Sequence, residues 1–134
     1  MKCILFVEDE PWGVNPYFNS LERKGYACVS AQSADEAVRH LRREKFDLLS
    51  LDVMFDAGTV LGSHTDSART GIHLLEMIRE AQIPNCDPQL KVVVLTAVDY
   101  PWVEERMKKL GVLAYLKKPA LFDKVIAAYV KALE

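Results

Sequence analysis

The stretch LLSLDVM, residues 48–54, decides how this chain is interpreted. Its first four residues form a short apolar run, which is typical of a strand buried on both faces in a parallel sheet. Asp52 ends that run, and the chain then becomes polar. Open α/β sheets bind their ligands beyond the carboxyl ends of the strands. The sequence therefore predicts that Asp52 lies at a binding edge.

Other strand-like runs also end in groups that can take part in chemistry. These groups are Glu8 and Asp9 after the first strand, Asp52 after the third, Thr96 after the fourth and Lys118 after the fifth. Because the carboxyl ends of parallel strands meet at one edge of a sheet, we expect these side chains to lie close together.

Strand-like runs and helical patterns alternate five times along the chain. The predicted strands cover about 3–7, 26–31, 46–51, 91–95 and 112–116, and the predicted helices cover about 16–24, 34–44, 71–81, 101–110 and 121–133. Asn15 is expected to cap the first helix, with Pro16 at its first position, and Ser33 with Glu36 forms a capping box for the second. This alternation predicts an α/β fold: a doubly wound parallel sheet of five strands with helices on both faces.

The composition is that of an ordinary globular domain. Of the 134 residues, 50% are hydrophobic and 27% are charged. This length suits one domain with its own core, so we assign residues 1–134 to a single domain. A net charge of −2 gives no reason to expect nucleic acid or a membrane surface as a partner.

The three cysteines are an odd number without paired spacing, which argues against a disulfide framework or a metal site. Cys3 and Cys28 lie in apolar runs and are expected to be buried, reduced thiols. The amino terminus has no signal-peptide pattern, and no apolar run reaches membrane-spanning length. We therefore expect a cytoplasmic protein.

The polar groups at the predicted edge suggest phosphoryl chemistry. Two carboxylates about 4 Å apart repel by about 4 kcal/mol at the effective dielectric of a protein surface, so a cation or a retained proton is expected between them. Oxygen ligands favour a hard cation such as Mg²⁺. Thr96 offers a hydroxyl and Lys118 a positive charge, which together could balance a phosphoryl group. The pattern indicates transfer of a phosphoryl group to a carboxylate beside a metal ion.

Four motifs in chain order resemble a known family. They are ILFVEDEP at 4–11, DLLSLDVM at 47–54, VVLTA at 93–97 and YLKKP at 115–119. With them the chain resembles, over essentially its whole length, the receiver domain of two-component response regulators. The resemblance implies the flavodoxin-like strand order 2-1-3-4-5.

The resemblance also implies a role for each matching residue. Asp52 would be the phosphoacceptor, and Thr96 and Lys118 would grip the phosphoryl group. Tyr115 stands where the family carries its switch aromatic. The implied Mg²⁺ ligands are Glu8, Asp9, Asp52 and the backbone carbonyl of Met54.

Family resemblance further implies the partners. A histidine kinase or a histidine phosphotransfer protein would supply the phosphoryl group. The surface formed by the fourth helix, fifth strand and fifth helix would then change its affinity for a downstream protein. A stand-alone receiver and a domain of a longer regulator with a linked output domain would share this sequence pattern.

The chain departs from the family pattern in three places, one of which is Asp56, where the family usually has a proline. Glu8 stands where many members have aspartate. The family usually reaches the glycine of the third helix about eight residues after the phosphoacceptor, whereas Gly71 lies 71 − 52 = 19 residues after Asp52. The extra residues form a long polar loop at about 55–70, including His64. The loop would act as a lid or recognise a partner, or would be a solvated insertion without a role.

Three other functions compete with this interpretation. A pseudo-receiver would keep the fold as a protein-binding module without being phosphorylated. A phosphatase of the haloacid dehalogenase type needs a second aspartate two residues after the nucleophile, where this chain has Met54. A flavodoxin-like cofactor binder needs a phosphate loop after the first strand, where the acidic residues 8–10 would repel phosphate. We therefore expect a signalling domain and not a classical enzyme.

Overall fold

The computed structural model describes residues 1–54 and 69–134. The strands of this part are β1 (Cys3–Val7), β2 (Ala27–Ala31), β3 (Leu48–Leu51), β4 (Val92–Thr96) and β5 (Ala114–Lys117). The helices are α1 (Asn15–Arg23), α2 (Ala34–Arg43), α3 (Thr70–Arg79), α4 (Pro101–Lys109) and α5 (Phe122–Leu133), with a 3₁₀ turn at Pro11–Gly13. Most of the predicted loop at 55–70 falls outside the described residues.

The five strands form one parallel sheet in the order β2-β1-β3-β4-β5. This confirms the predicted fold class and the strand order implied by the family resemblance. Val7 at the end of β1 is in register with Leu51 at the end of β3. Glu8 and Asp52, the residues that follow these two strand ends, therefore lie next to each other.

The core lies on both faces of the sheet. Along β1, Ile4 and Phe6 pack into the apolar cluster shared with α1 and α5, whereas Leu5 and Val7 pack into the cluster shared with α2, α3 and α4. This alternation follows from the two-residue period of strand side chains. Because helices cover both faces of the sheet, a binding site is expected at its carboxyl edge and not on a face.

The start of α1 differs from the prediction. Val14, and not Asn15, is the N-cap residue, and no side chain caps the helix. Val14 is buried in the core, and its carbonyl accepts the Phe18 amide at 3.0 Å. Because Val14 is buried, the N-cap of α1 lies one residue before Asn15, the polar residue that local propensity favours.

The predicted capping box of α2 is confirmed. The Ser33 hydroxyl accepts the backbone N–H of Glu36 at 3.1 Å. The Glu36 carboxylate in turn accepts the N–H of Gln32 at 3.0 Å, one residue earlier than the usual pattern.

Cys3 and Cys28 are less buried than predicted. All three are free thiols of intermediate exposure, and Cys3 and Cys28 lie on the two strands at one edge of the sheet. No helix in residues 1–54 and 69–134 is long and apolar enough to span a membrane.

A single arginine ties α3 to two neighbouring loops. The guanidinium of Arg79 donates to the carbonyls of Pro88 at 2.9 Å and Leu90 at 2.7 Å, both in the segment before β4. Its Nε donates to the carbonyl of Leu110, at the end of α4, at 2.6 Å. Arg79 therefore holds together three segments that are far apart in the sequence.

Replacing Arg79 should destabilise the domain. Arg79→Ala removes three charge-assisted hydrogen bonds, and we expect the free energy of unfolding to fall by about 2 kcal/mol in urea titrations. The free energy of unfolding of Arg79→Lys should lie between those of wild type and Arg79→Ala, because an ammonium cannot reach all three carbonyls at once. The matched control is Arg39→Ala on exposed Arg39. Equal unfolding midpoints for the two alanine variants would contradict the assigned role.

Gly71 lets α3 pack directly on the chain that follows β3. The Gly71 N–H donates to the carbonyl of Val53 at 2.8 Å. A Cβ atom at residue 71 would lie 2.7 Å from the carbonyl oxygen of Asp52 and 2.8 Å from the Cα of Val53. Both are backbone atoms, so the contact cannot be relieved by rotating a side chain.

We therefore expect Gly71→Ala to lower the free energy of unfolding by about 2 kcal/mol, the usual cost of overpacking, and to shift the amide resonances of Asp52 and Val53. Gly13→Ala is the matched control, because a Cβ at Gly13 would meet no atom within 4 Å. The same stability and the same resonance shifts in both variants would rule out a tight contact at Gly71.

Candidate functional site

Four of the predicted site residues meet at the carboxyl edge of the sheet. They are Glu8, Asp52, Thr96 and Lys118, which follow or end β1, β3, β4 and β5. Glu8 is 5% exposed, Asp52 9% and Thr96 fully buried. The sheet register explains the meeting, since Asp52 donates its N–H to Val7 at the end of β1 and Lys118 donates its N–H to Thr96 at the end of β4.

The two carboxylate oxygens of Asp52 have different environments. Oδ1 accepts the Thr96 hydroxyl at 2.5 Å, the N–H of Val53 at 2.6 Å and the N–H of Met54 at 3.3 Å. Oδ2 accepts the Lys118 ammonium at 3.5 Å, and the Glu8 carboxyl is also within hydrogen-bonding reach of the Asp52 carboxylate. Three hydrogen bonds therefore fix Oδ1, whereas the contact of Oδ2 with the ammonium is longer than any of them.

Lys118 lies between the two buried carboxylates. Its Nζ is 2.8 Å from Oε2 of Glu8 and 3.5 Å from Oδ2 of Asp52. The lysine side chain is 36% exposed, so the ammonium closes the site on its solvent side. One positive charge thus faces two carboxylates.

This arrangement shifts the pKa of Glu8 and of Lys118. Burial raises the pKa of Glu8 to about 7, and the neighbouring Asp52 adds to the rise while Lys118 opposes it. Burial lowers the pKa of Lys118, but its hydrogen bond to Glu8 and the charge of Asp52 outweigh that, so the pKa is raised overall. Below about pH 7, Glu8 therefore keeps a proton and the Lys118 ammonium balances Asp52, whereas above that pH one ammonium faces two carboxylates.

Asp9 does not join this cluster. Its side chain is exposed, whereas Glu8 next to it is buried. Within residues 1–54 and 69–134, no three His, Cys, Asp or Glu side chains are grouped so that they could hold a metal ion. Met54 lies beside Asp52 and is 42% exposed. Of the predicted metal ligands, the structure brings only Glu8 and Asp52 to a shared cation, which is the ammonium of Lys118.

Tyr115 is connected to the site through the segment after β4. Its ring is half-buried against the core, and its hydroxyl donates to the carbonyl of Val98 at 2.9 Å. Burial raises the pKa of Tyr115 to about 12. The N–H of Val98 donates to the Thr96 hydroxyl at 3.2 Å. Val98 thus links Tyr115 to Thr96 through its backbone, a link that no pattern in the sequence indicates.

Sequence reasoning also missed a buried pair behind the site. The Ser50 hydroxyl, two residues before Asp52, lies 2.7 Å from the hydroxyl of Tyr129 on α5. Both side chains are buried. A serine inside an apolar strand was the available signal, because a buried hydroxyl needs a hydrogen-bond partner.

Comparison with known proteins agrees with this fold. The family described as response regulator receiver domain matches residues 4–130. The alkaline phosphatase synthesis transcriptional regulatory protein PhoP of Bacillus subtilis (strain 168) is 30% identical over 98% of this chain and 48% of its own length. The transcriptional regulatory protein GlrR of Escherichia coli (strain K12) is 30% identical over 98% of this chain and 26% of its own. The chain thus spans about half the length of the first relative and a quarter of the second.

Solved structures give the same result. The non-phosphorylated HemR receiver domain of Leptospira biflexa superposes with a TM-score of 0.80 at 24% identity, covering 100% of this chain and 95% of that one. A Burkholderia pseudomallei response regulator, solved with a phosphorylated aspartic acid, calcium ion and citrate, has a TM-score of 0.70 at 26% identity and covers 96% of this chain and 66% of that one. Since the family match spans nearly the whole chain and the strand order agrees with it, this protein belongs to the receiver domain family of two-component response regulators.

Proposed function

We propose that this receiver domain is a phosphoacceptor whose nucleophile is Oδ2 of Asp52. The observation that carries the proposal is the unequal hydrogen bonding of the two carboxylate oxygens. Oδ1 is held by three donors, whereas Oδ2 has a longer contact, at 3.5 Å, with the Lys118 ammonium. An oxygen with free lone pairs, held in a fixed orientation, is suited to attack phosphorus.

The donor in this proposal is a phosphohistidine on a histidine kinase or a histidine phosphotransfer protein. Oδ2 attacks the phosphorus, a P–O bond forms, and the P–N bond of the donor breaks. The imidazole leaves with the electron pair of that bond. The product is an acyl phosphate on Asp52, so the domain carries out one self-phosphorylation step and is not a turnover enzyme.

Lys118 and Thr96 are the residues placed to bind the transferred group. The Lys118 ammonium already faces Oδ2, so it would pair with the phosphoryl oxygens and loosen its contact with Glu8. The Thr96 hydroxyl would leave Oδ1 and donate to a phosphoryl oxygen. The negative charge of the phosphoryl oxygens would strengthen the hydrogen bonds that they accept from the Lys118 ammonium and the Thr96 hydroxyl.

The proposal includes Mg²⁺ bound at the same site. The donor chemistry fits a hard cation, because Glu8 and Asp52 are oxygen donors and already share the Lys118 ammonium. Asp9 and the backbone carbonyl of Met54 would complete the ligand set, as the family resemblance implies. When bound, the ion would offset the negative charge of the phosphoryl oxygens.

The proposed output is a change in the surface formed by α4, β5 and α5. Thr96 is bonded to the N–H of Val98, and Tyr115 to the carbonyl of Val98. Movement of Thr96 towards a phosphoryl group would disturb both bonds and reposition Tyr115. A downstream protein, or an output domain in a longer chain, would read that change in the cytoplasm.

An exposed apolar patch is suited to receive the phosphodonor protein. Trp12 after β1, and Leu121 and Phe122 at the start of α5, are 68%, 76% and 42% exposed. The ring of Phe122 stacks on Tyr17 of α1 at 5.5 Å. Both segments start from the sheet edge that carries Asp52, so a partner docked there would be close to the nucleophile.

A pseudo-receiver is the second candidate. The exposure of Asp9, and the pairing of Glu8 with Lys118, favour it because they leave the metal ligands ungrouped in the described part of the chain. Such a module would bind its partner with or without a phosphodonor.

Intact-mass measurement after incubation with acetyl phosphate and Mg²⁺ separates the two candidates. We expect the wild-type protein to gain the mass of one phosphoryl group and Asp52→Asn to gain none, because an amide is a poor nucleophile. Asp99→Asn is the control for an exposed aspartate near the same edge. Equal adducts on wild type and Asp52→Asn would remove Asp52 from its proposed role, and no adduct on either would favour the pseudo-receiver.

The raised pKa of Glu8, caused first by burial, predicts that the stability of the domain depends on pH. With a folded-state pKa of about 7 against an ordinary value of 4.5, Glu8 binds its proton more tightly in the folded protein. In metal-free buffer, its contribution to the free energy of unfolding is therefore fully present below about pH 4.5 and lost as the pH rises through about 7.

Thermal unfolding of Glu8→Gln and wild type at pH 5 and pH 8 measures this effect. We expect the melting temperature of Glu8→Gln, relative to wild type, to be higher at pH 8 than at pH 5. Adding Mg²⁺ at pH 8 should stabilise wild type more than Glu8→Gln. Glu10→Gln, at an exposed neighbouring position, is the control. A difference between Glu8→Gln and wild type that does not change with pH would contradict the pKa shift.

A further inference from the structure

Lys117 precedes Lys118 in the chain, and the function proposed above gives it no role. Its Nζ lies 2.8 Å from Oδ1 of Asp99 and 3.3 Å from Oε1 of Glu104. Asp99 belongs to the segment between β4 and α4, whereas Glu104 is in the first turn of α4. One ammonium on β5 therefore connects this segment both to β5 and to α4.

Two side chains of β5 hold consecutive residues of that segment. Tyr115 and Lys117 are two residues apart, so they lie on the same face of the strand. The Tyr115 hydroxyl donates to the carbonyl of Val98 at 2.9 Å, and the Lys117 ammonium pairs with Asp99, the next residue. The segment that leaves β4 is thus held at two adjacent positions, one by a neutral hydrogen bond and the other by an ion pair.

This segment orients the hydroxyl of Thr96. The hydroxyl oxygen accepts the N–H of Val98 at 3.2 Å, and the hydroxyl donates to Oδ1 of Asp52 at 2.5 Å. Because the amide of Val98 and the side chain of Asp99 belong to adjacent residues, the ion pair with Lys117 helps to keep the Val98 N–H directed at the hydroxyl. Lys117 therefore acts on Thr96 through the backbone of the segment.

The contact made by Lys117 is electrostatic. The hydrogen bonds that it donates to Asp99 and Glu104 raise the pKa of Lys117, and the hydrogen bonds donated by Lys108 and Lys117 lower the pKa of Glu104. All these groups are partly exposed to solvent, so their attraction is modest and is screened by salt. The hydrogen bond of Tyr115 joins neutral groups and lacks that dependence on salt.

Movement of Thr96 would weaken this ion pair. Lys117 is held in β5, where it is in register with Thr96 of β4. If the hydroxyl of Thr96 turns away from Asp52, the Val98 N–H loses its acceptor and the segment shifts, which carries Asp99 away from Lys117. The ion pair is therefore strongest while Thr96 is bonded to Asp52, and it stabilises that state over the other.

From these contacts, we propose that Lys117 is a positioning residue that restrains the movement of the Thr96 hydroxyl from Asp52 to a phosphoryl oxygen. The inference rests on the function proposed above, in which Thr96 makes that movement. The ion pair sets how readily Thr96 moves and not whether Asp52 accepts the phosphoryl group, so the final yield of adduct should be the same with and without it.

Amide hydrogen exchange of Val98 tests the positioning in the absence of a phosphodonor. We expect the Val98 N–H to exchange about threefold faster in Lys117→Met, the effect of losing one exposed ion pair, because methionine keeps the length of the side chain and removes its charge. Lys117→Arg keeps the charge and should exchange as wild type does. Lys108→Met is the matched control, since Lys108 pairs with the same Glu104 from within α4, at 3.0 Å.

Initial rates with acetyl phosphate and Mg²⁺ test the consequence for phosphoryl transfer. We expect Lys117→Met to gain the adduct about threefold faster than wild type at low salt, and the two rates to converge at high salt, where the ion pair is screened. Loss of a positive charge should by itself slow the reaction with an anionic donor, and Lys108→Met measures that effect. Lys117→Arg should react at the wild-type rate.

Three results would overturn the inference. They are equal exchange of the Val98 N–H in wild type and Lys117→Met, an equal effect of Lys108→Met on that exchange, and faster exchange in Lys117→Met without faster transfer. If wild type gains no adduct, the proposed phosphoacceptor function fails, whereas the exchange rates still decide whether Lys117 positions the segment. The two failures are therefore distinguishable.

Discussion

The structure of the site depends on the burial of two carboxylates next to each other. Glu8 and Asp52 are both nearly inaccessible to solvent, and one lysine ammonium lies between them. Burial favours the neutral form of a carboxyl group, whereas a nearby cation favours the charged form. The sheet register brings the two residues side by side, because parallel strands ending at the same level place their following residues together. Above about pH 7, where Glu8 is ionised, the domain thus holds two carboxylates against one ammonium at the point where its chemistry is proposed.

The fold was predictable because its signals are local and repeated. Short apolar runs, helical periodicity and the Ser33 cap gave every strand and helix, and the family resemblance gave the strand order. The boundary of α1 was wrong by one residue, because burial of Val14 outweighed the capping preference of Asn15. Cys3 and Cys28 are only half-buried, because Cys28 lies on the edge strand β2 and Cys3 is the first residue of β1.

The site was predictable in composition but not in its contacts. The ends of the strands identified Asp52, Thr96 and Lys118 as neighbours. The sequence could not show that Glu8 is buried while Asp9 is exposed, since that depends on how the chain turns after β1. Nor could it show the backbone link through Val98, because a carbonyl group has no signature in the amino-acid sequence.

The contact between Gly71 and Val53 has a consequence for the evolution of chain length. Since the start of α3 is fastened to the backbone just after β3, residues between these two points add length without displacing either end. The entropy lost on closing a flexible loop grows slowly, by about 0.6 kcal/mol for each doubling of length. A lineage could therefore lengthen or shorten this connection at little thermodynamic expense, and a protein engineer could graft a reporter peptide there while the hydrogen bond from Gly71 to Val53 is kept.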